Sequence, residues 1–180
     1  TTSGLKEIYG KKRVFDMPAS ENAMTGVAIG MSLNKMIPIM NHQRMDFFLL
    51  AMDQLINNAA KWKYMFGGQQ KAPIIIRLIV GRGWGQGPTH SQNLQAWFSH
   101  IPGLKVVTPS NPYDAKGLLI SAIRDNDPVM FCEHKSLLGM EGEVPDDAYE
   151  VPLGKGKIIK EGNDITIVAI GQMVGITEGC

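Results

Sequence analysis

The alternation of two kinds of segment limits what this chain can fold into. Short runs apolar at consecutive positions, "IPIM" (37–40), "PIIIRLIV" (73–80), "KVVTP" (105–109) and "PVMFCE" (128–133), are separated by longer stretches with helical spacing. A strand apolar on consecutive residues is buried on both faces, the habit of a parallel sheet. Strand–helix–strand order then calls for right-handed crossovers, so the fold class is α/β: a mostly parallel sheet with helices on both faces. "RVFDM" (13–17) and "DITIVAIG" (164–171) share the strand character. Helices are expected at 20–34, 46–66, 91–99 and 112–126. The last begins at Asn111-Pro112, a cap followed by proline in the first turn.

Composition serves mainly to exclude. Eighteen Lys and Arg against 17 Asp and Glu leave a net charge of +1, which offers nothing to nucleic acid or an anionic membrane. The longest apolar run, "APIIIRLIV", is interrupted by Arg77 and too short to span a bilayer. The polar opening "TTSGLKEIYGKKR" lacks a signal-peptide pattern. Cys132, inside "PVMFCE", reads as a buried core thiol. Cys180 is far from it and forms no C-x-x-C, a usage that fits a reducing compartment. Residues 1–139 are expected to form the α/β domain and 140–163 a linker, within the Gly-, Pro- and acid-rich "GMEGEVPDDAYEVPLGKGK". Residues 164–180 are expected to begin a truncated C-terminal domain.

Two stretches carry candidate chemistry. In "PASENAMTGVAIG" (18–30), Ser20 is placed to cap a helix and Glu21 falls in its first turn, where the helix dipole favours a carboxylate. Gly26 and Gly30, one turn apart on one face, each cost about 1 kcal/mol against alanine. Such a face suits close packing on a neighbouring helix of this or another subunit. "GRGWGQGPTHSQ" (81–92) follows the second of the four runs quoted first, but lacks both the Lys-Ser/Thr ending of a P-loop and a G-x-G-x-x-G. His90 closes this loop beyond the carboxyl end of a parallel strand, where ligands of open α/β sheets sit. It is a candidate acid, base or donor there, or else an ordinary loop residue. His42, His100 and His134 read as structural or exposed. No H-E-x-x-H, Cys/His metal spacing or G-x-S-x-G elbow is present.

The stretch "ENAMTGVAIG" has the pattern E-x4-G-φ-x-x-G. "RVFDMPASE", "AMDQLINNAAKWKYMFGGQ" and "THSQNLQAWFSHIPGLKVVTPSNPYDAKGLLISAIRDNDPV" complete the set. Over about residues 4–171 the chain resembles the β subunit of thiamine-diphosphate-dependent 2-oxo acid dehydrogenases of the pyruvate, branched-chain and acetoin type, with a transketolase-like pyrimidine-binding domain. The resemblance implies an oxidoreductase that decarboxylates a 2-oxo acid and passes the acyl group to a lipoyl carrier. It implies that Glu21 hydrogen-bonds the N1′ nitrogen of the cofactor's aminopyrimidine, and that Phe47 packs on that ring. It also implies that His90 lines the substrate channel and assists chemistry or acyl transfer. Ile74, Ala122, Ile123, Asp125 and Asp127 match positions that hold a potassium ion in several members, mostly through main-chain oxygens. The G-D-G…N motif for Mg2+ and the diphosphate is missing here and in the family lies on an α-type partner. The expected assembly is thus a heterotetramer served by a lipoyl-bearing acyltransferase, in the bacterial cytoplasm or the mitochondrial matrix. One departure is Asn41, where many members carry Glu, and both ends look short against the family. Alternative readings are a transketolase-like or deoxyxylulose-phosphate-synthase-like pyrimidine domain, and a noncatalytic assembly fragment.

Overall fold

The computed structural model describes residues 2–83 and 85–179, so Cys180 lies outside the described residues. Four runs become strands: β1 (Ile39–His42), β2 (Ile75–Val80), β3 (Lys105–Val107) and β4 (Val129–His134). They pair in the order β1-β2-β4-β3, every pair parallel. The helices are α1 (Leu5–Tyr9), α2 (Glu21–Leu33), α3 (Met45–Phe48), α4 (Ala60–Met65), α5 (Gln95–Ser99), α6 (Pro112–Arg124) and α7 (Gln172–Glu178). The α/β class with helices on both faces is what the structure shows. One face of the sheet (Ile76, Leu78, Met130, Cys132) packs with Ile29 of α2, Phe48 of α3, Leu55 and Phe98 of α5. The other (Ile75, Val129, Phe131) packs with Ala122 and Leu118 of α6. Cys132 is buried as expected, and burial, with Glu133 beside it, pushes its thiol pKa up to about 12.

Arg77, the one charge inside the β2 run, is accounted for by its neighbour strand. It lies opposite Phe131, which puts Glu133 on the same face two residues on. Nε and Nη2 of Arg77 donate to Glu133 Oε2 and Oε1 at 3.0 and 2.7 Å, a two-pronged pair with both side chains 16% exposed.

Helix ends follow local chemistry only in part. Asn111 caps α6 as expected, its Oδ1 accepting from Asp114 N at 2.8 Å, with Pro112 in the first turn. Ser20 does not cap α2 with its hydroxyl. Its backbone (φ −153°, ψ 74°) departs from the extended geometry that aims a side-chain oxygen at the next amides, and only its carbonyl joins the helix, accepting from Met24 N at 2.9 Å. The expected single helix at 46–66 is broken into α3, a 3-10 turn (Leu49–Ala51), a π-helical stretch (Gln54–Ala59) and α4. The helix expected at 91–99 is confined to α5, because residues before it are held elsewhere: Gln92 O accepts from Gly81 N, and Leu94 N donates to Met45 Sδ.

Two strand-like runs are not strands. Residues 13–17 and 164–171 join no sheet among the described residues, and Phe15 (48%) and Val168 (89%) are exposed. Apolar character makes a strand only where a backbone edge is there to pair with it. The first half of the expected linker is packed rather than loose. Tyr149 stacks on Tyr113 with ring centroids 4.4 Å apart, and Ser121 Oγ donates to Val151 O at 2.7 Å. Gly117 of α6 permits this strap, since a Cβ there would meet Val151 at 2.5 Å and Tyr149 at 2.7 Å. Among the described residues no helix is long and apolar enough to cross a membrane.

Replacing Glu133 by Ala leaves Arg77 half-buried without its carboxylate, and is expected to destabilise the fold by about 2 kcal/mol, measured by denaturant unfolding.

Candidate functional site

A parallel sheet delivers all its carboxyl ends to one edge, and the side chains of interest gather there. β1 ends at His42, β4 at His134, and β2 runs from Val80 into the glycine-rich loop. The loop can leave the sheet here only because residue 81 is glycine. Its φ is +82°, and a Cβ would lie 2.1 Å from Nε2 of His134. His134 is fixed by Ser136, whose amide donates to Nδ1 at 3.3 Å and whose Oγ is 2.8 Å from the same nitrogen. Burial lowers the pKa of this imidazole.

The loop closes in a 3-10 turn, Pro88–His90, laid against α3. There the His90 ring meets the Phe47 ring edge to face, centroids 5.2 Å apart and planes at 90°. Thr89 Oγ1 lies 3.0 Å from His90 Nδ1. Gln92 Nε2 donates to Asp46 Oδ1 at 2.7 Å, which ties the loop to α3. Two of the expected site residues, far apart in sequence, are therefore in contact.

Glu21 is half-buried as the first residue of α2. The short connection from α2 to β1 brings the start of the helix to the end of the strand, and His42 is within electrostatic reach of the Glu21 carboxylate. Burial lowers the His42 pKa while Glu21 pulls the other way. The ring stands edge-on to Phe48 at 4.9 Å, and its Nε2 is buried with no hydrogen-bond partner among the described residues. Such a nitrogen forfeits a bond it would have in water, so it invites a polar ligand atom. Reading the sequence assigned His42 only to structure or surface. Its one signal was a polar residue closing an apolar run.

A second group was also missed. Arg44 at the start of α3 and Lys135 just beyond β4 are each 6% exposed, and both donate to Oε1 of Gln86 in the glycine-rich loop. Lys135 has a lowered pKa, through burial first and Arg44 second.

The expected potassium residues lie at the opposite edge of the sheet. Asp125 Oδ1 and Oδ2 accept from Lys105 Nζ at 2.7 and 2.6 Å. Asp127 accepts from Lys63 at 2.9 Å and forms an ion pair with Lys105 at 3.2 Å. Burial works to raise the Asp127 pKa, but the two lysines overcome it and the pKa is lowered. The carbonyls of Ile74 and Ala122 accept from Val129 N and Asp125 N, leaving each a second lone pair. A cleft of about 500 Å³ near this edge, between β3, α6 and the 150–154 strap, is lined by none of Glu21, Phe47 or His90.

The glycine face of α2 is divided. Gly26 sits against Gln54 of the π-helical stretch, whose Oε1 would lie 3.6 Å from a Cβ there, whereas among the described residues outside α2's own backbone nothing would lie within 4 Å of a Cβ at Gly30. Beside them Val27 is 50% and Leu50 69% exposed.

The chain is thus an α/β domain with a parallel sheet whose candidate residues, a carboxylate, an aromatic ring and histidines, gather at its carboxyl edge. Residues 1–141 match the family model described as transketolase, pyrimidine binding domain, and the chain belongs to that family. The acetoin:2,6-dichlorophenolindophenol oxidoreductase subunit beta of Cupriavidus necator is 53% identical over 173 residues, covering 96% of this chain and 51% of that protein. The pyruvate dehydrogenase E1 component subunit beta of Porphyra purpurea is 46% identical, with 96% and 52% covered. The 2-oxoisovalerate dehydrogenase subunit beta of Bacillus subtilis is 45% identical, with 96% and 53% covered. A solved structure titled split gene transketolase, inactive beta4 tetramer, superposes with a TM-score of 0.77 at 26% identity, over 99% of this chain and 54% of that one. The chain thus spans about half the length of the relatives it matches.

His42 and His134 both have pKa values below the ordinary 6.5. The folded state therefore binds fewer protons than the unfolded one once pH falls below that value. The stability linked to them is complete above about pH 6.5 and declines as pH drops towards the folded values. The melting temperature is expected to fall between about pH 7.5 and about pH 5.5, and His42→Phe to flatten part of that slope. An unchanged slope in the variant would remove His42 from the account.

Proposed function

We propose that this chain is the pyrimidine-binding part of a β-type subunit of a thiamine-diphosphate-dependent 2-oxo acid dehydrogenase, an oxidoreductase that decarboxylates a 2-oxo acid and passes the acyl group to a lipoyl carrier. The observation that carries the reading is the company Glu21 keeps. A carboxylate, an imidazole nitrogen lacking a partner, and the Phe47–His90 ring pair all stand at one sheet edge. These residues fit an aminopyrimidine, which presents a ring nitrogen to an acid, flat faces to an aromatic ring and exocyclic hydrogen-bonding groups to a histidine.

In this reading Glu21 holds a proton at the N1′ nitrogen of the ring, Phe47 packs on its face, and His90 handles protons on the substrate side or assists acyl transfer. When bound, thiamine diphosphate supplies the nucleophilic carbon and the electron sink for loss of carbon dioxide. The diphosphate and Mg2+ belong on an α-type partner, as the missing G-D-G…N motif suggests. The uncovered stretch of α2 at Val27 and Gly30, with Leu50 beside it, supports a subunit packing there in a heterotetramer. A potassium ion at Ile74, Ala122, Ile123, Asp125 and Asp127 would rely on main-chain oxygens, because Lys63 and Lys105 already match both carboxylates. A bacterial cytoplasmic or mitochondrial matrix setting goes with this reading, since both bacterial relatives and one from Oryza sativa named as mitochondrial match the chain.

Glu21→Gln in the full-length chain, assembled with an α-type subunit, is expected to lower decarboxylation by about three orders of magnitude without loss of assembly. Activity is followed by carbon dioxide release and assembly by analytical ultracentrifugation. Near-unchanged turnover in an intact assembly would show that Glu21 has no proton to hold.

A further inference from the structure

Four consecutive residues around the start of α3 each grip the segment that follows β2. Arg44 donates to Gln86 Oε1, and Met45 Sδ accepts from Leu94 N at 3.1 Å. Asp46 Oδ1 accepts from Gln92 Nε2 at 2.7 Å, and the Phe47 ring meets the His90 ring edge to face. Of these ties, the Gln92–Asp46 bond lies next to the ring pair on both sides. Gln92 is two residues beyond His90, and Asp46 immediately precedes Phe47. Gln92 also closes the loop, its carbonyl accepting from Gly81 N at 3.2 Å.

The ring pair needs such a tie. Residues 82, 83 and 85–89 are exposed, and Gly81, Gly85 and Gly87 have φ values of +82°, +64° and +80°. The loop leading to His90 therefore loses much freedom when it is ordered. One edge-to-face contact offsets little of that. Thr89 Oγ1, 3.0 Å from His90 Nδ1, belongs to the same turn and would move with it. The Gln92 amide and the Asp46 carboxylate make a charge-assisted, part-buried bond between two separate elements. Among the described residues neither group has another side-chain hydrogen-bond partner, so losing this bond frees both.

We propose that Gln92 and Asp46 are positioning residues: their hydrogen bond sets His90 against Phe47, so that the group working on the substrate side stays in register with the ring that packs on the cofactor. The inference rests on the functional reading above and goes beyond it, since it gives the loop after β2 and the helix after β1 a joint task. Neither Gln92 nor Asp46 acts on a ligand itself; each acts through the ring beside it.

The test reverses the bond in the full-length chain assembled with an α-type subunit. In Gln92→Glu the donor becomes a carboxylate facing that of Asp46, and the loop should part from α3. Adding Asp46→Asn restores one donor and one acceptor in the opposite sense. Hydrogen exchange of the backbone amides of residues 85–92, read by mass spectrometry, follows the loop; acyl transfer to a lipoyl carrier follows His90. Gln92→Glu is expected to speed exchange and slow acyl transfer by about tenfold each, with thiamine diphosphate affinity within about twofold of native, because Glu21 and Phe47 stay on their own helices. The double variant is expected to bring both rates back to within about threefold of native. Exchange that does not rise in the single variant, or does not fall back in the double, overturns the proposal. Exchange that rises and is rescued while acyl transfer never changes overturns it too. If Gln92→Glu fails to assemble, Asp46→Asn is expected to recover assembly, and failure of both variants overturns the proposal. The functional reading fails separately. A native assembly that takes up no thiamine diphosphate, or a His90→Ala variant with unchanged acyl transfer, overturns that reading and this inference with it. A His90→Ala defect that Gln92→Glu does not share overturns the positioning role alone.

Discussion

The pairing of β2 with β4 is the interaction on which the rest depends. These are the two central strands, each neighbour to an edge strand, and their parallel register brings Val80 beside His134 at one end. Because both run the same way, both release their chains at the same edge, one into the glycine-rich loop and the other into the Lys135 turn. Arg77 and Glu133 lock that register from the α6 side, and a slip of one residue would turn one of the two charges into the opposite core and part the pair. The candidate site is a consequence of this register. Gly81 leaves room for His134, His134 fixes the end of β4, and Gln86 meets Lys135 only because the two strands end level.

The architecture bears on the proposal that the site is shared with a second subunit. Its carboxyl edge carries an acid with aromatic and imidazole groups, the set that the proposed heterocycle would need. Among the described residues no group of three or more His, Cys, Asp or Glu is placed to hold a metal ion, and the cleft of about 500 Å³ lies among other residues. The uncovered part of α2, where a side chain at Gly30 would meet nothing else among the described residues, lies further along the helix that Glu21 begins. The site proposed to be shared and an open helix face on the same element are both what a partner subunit would complete.

Much of this was legible before the structure. Strands buried on both faces announced a parallel sheet, Asn111-Pro112 marked the start of α6, and Glu21 and His90 stood out because glycines framed them. Phe47 was identified only through the resemblance. Three kinds of information were not legible. The runs 13–17 and 164–171 have strand composition, but pairing depends on an available edge, which no local pattern encodes. The π-helical winding within 46–66 falls where the segment lies against α2, with Gln54 beside Gly26, and no local pattern marks it. The meeting of Arg44 and Lys135 is a product of topology alone: both are unremarkable in sequence, and only the shared edge at which β1, β2 and β4 end brings them to one oxygen. His42 was passed over for a similar reason, since a lone histidine at the end of an apolar run is ordinary until an acid from another element is set near it.

The central claim is that this sheet edge is one half of a cofactor site that a second polypeptide completes. Calorimetric titration of thiamine diphosphate with Mg2+ into the full-length chain, alone and assembled with an α-type subunit, addresses it most directly. The account predicts negligible heat for the chain alone and saturable binding for the assembly. Absence of binding in both, or equally tight binding by the isolated chain, would contradict it.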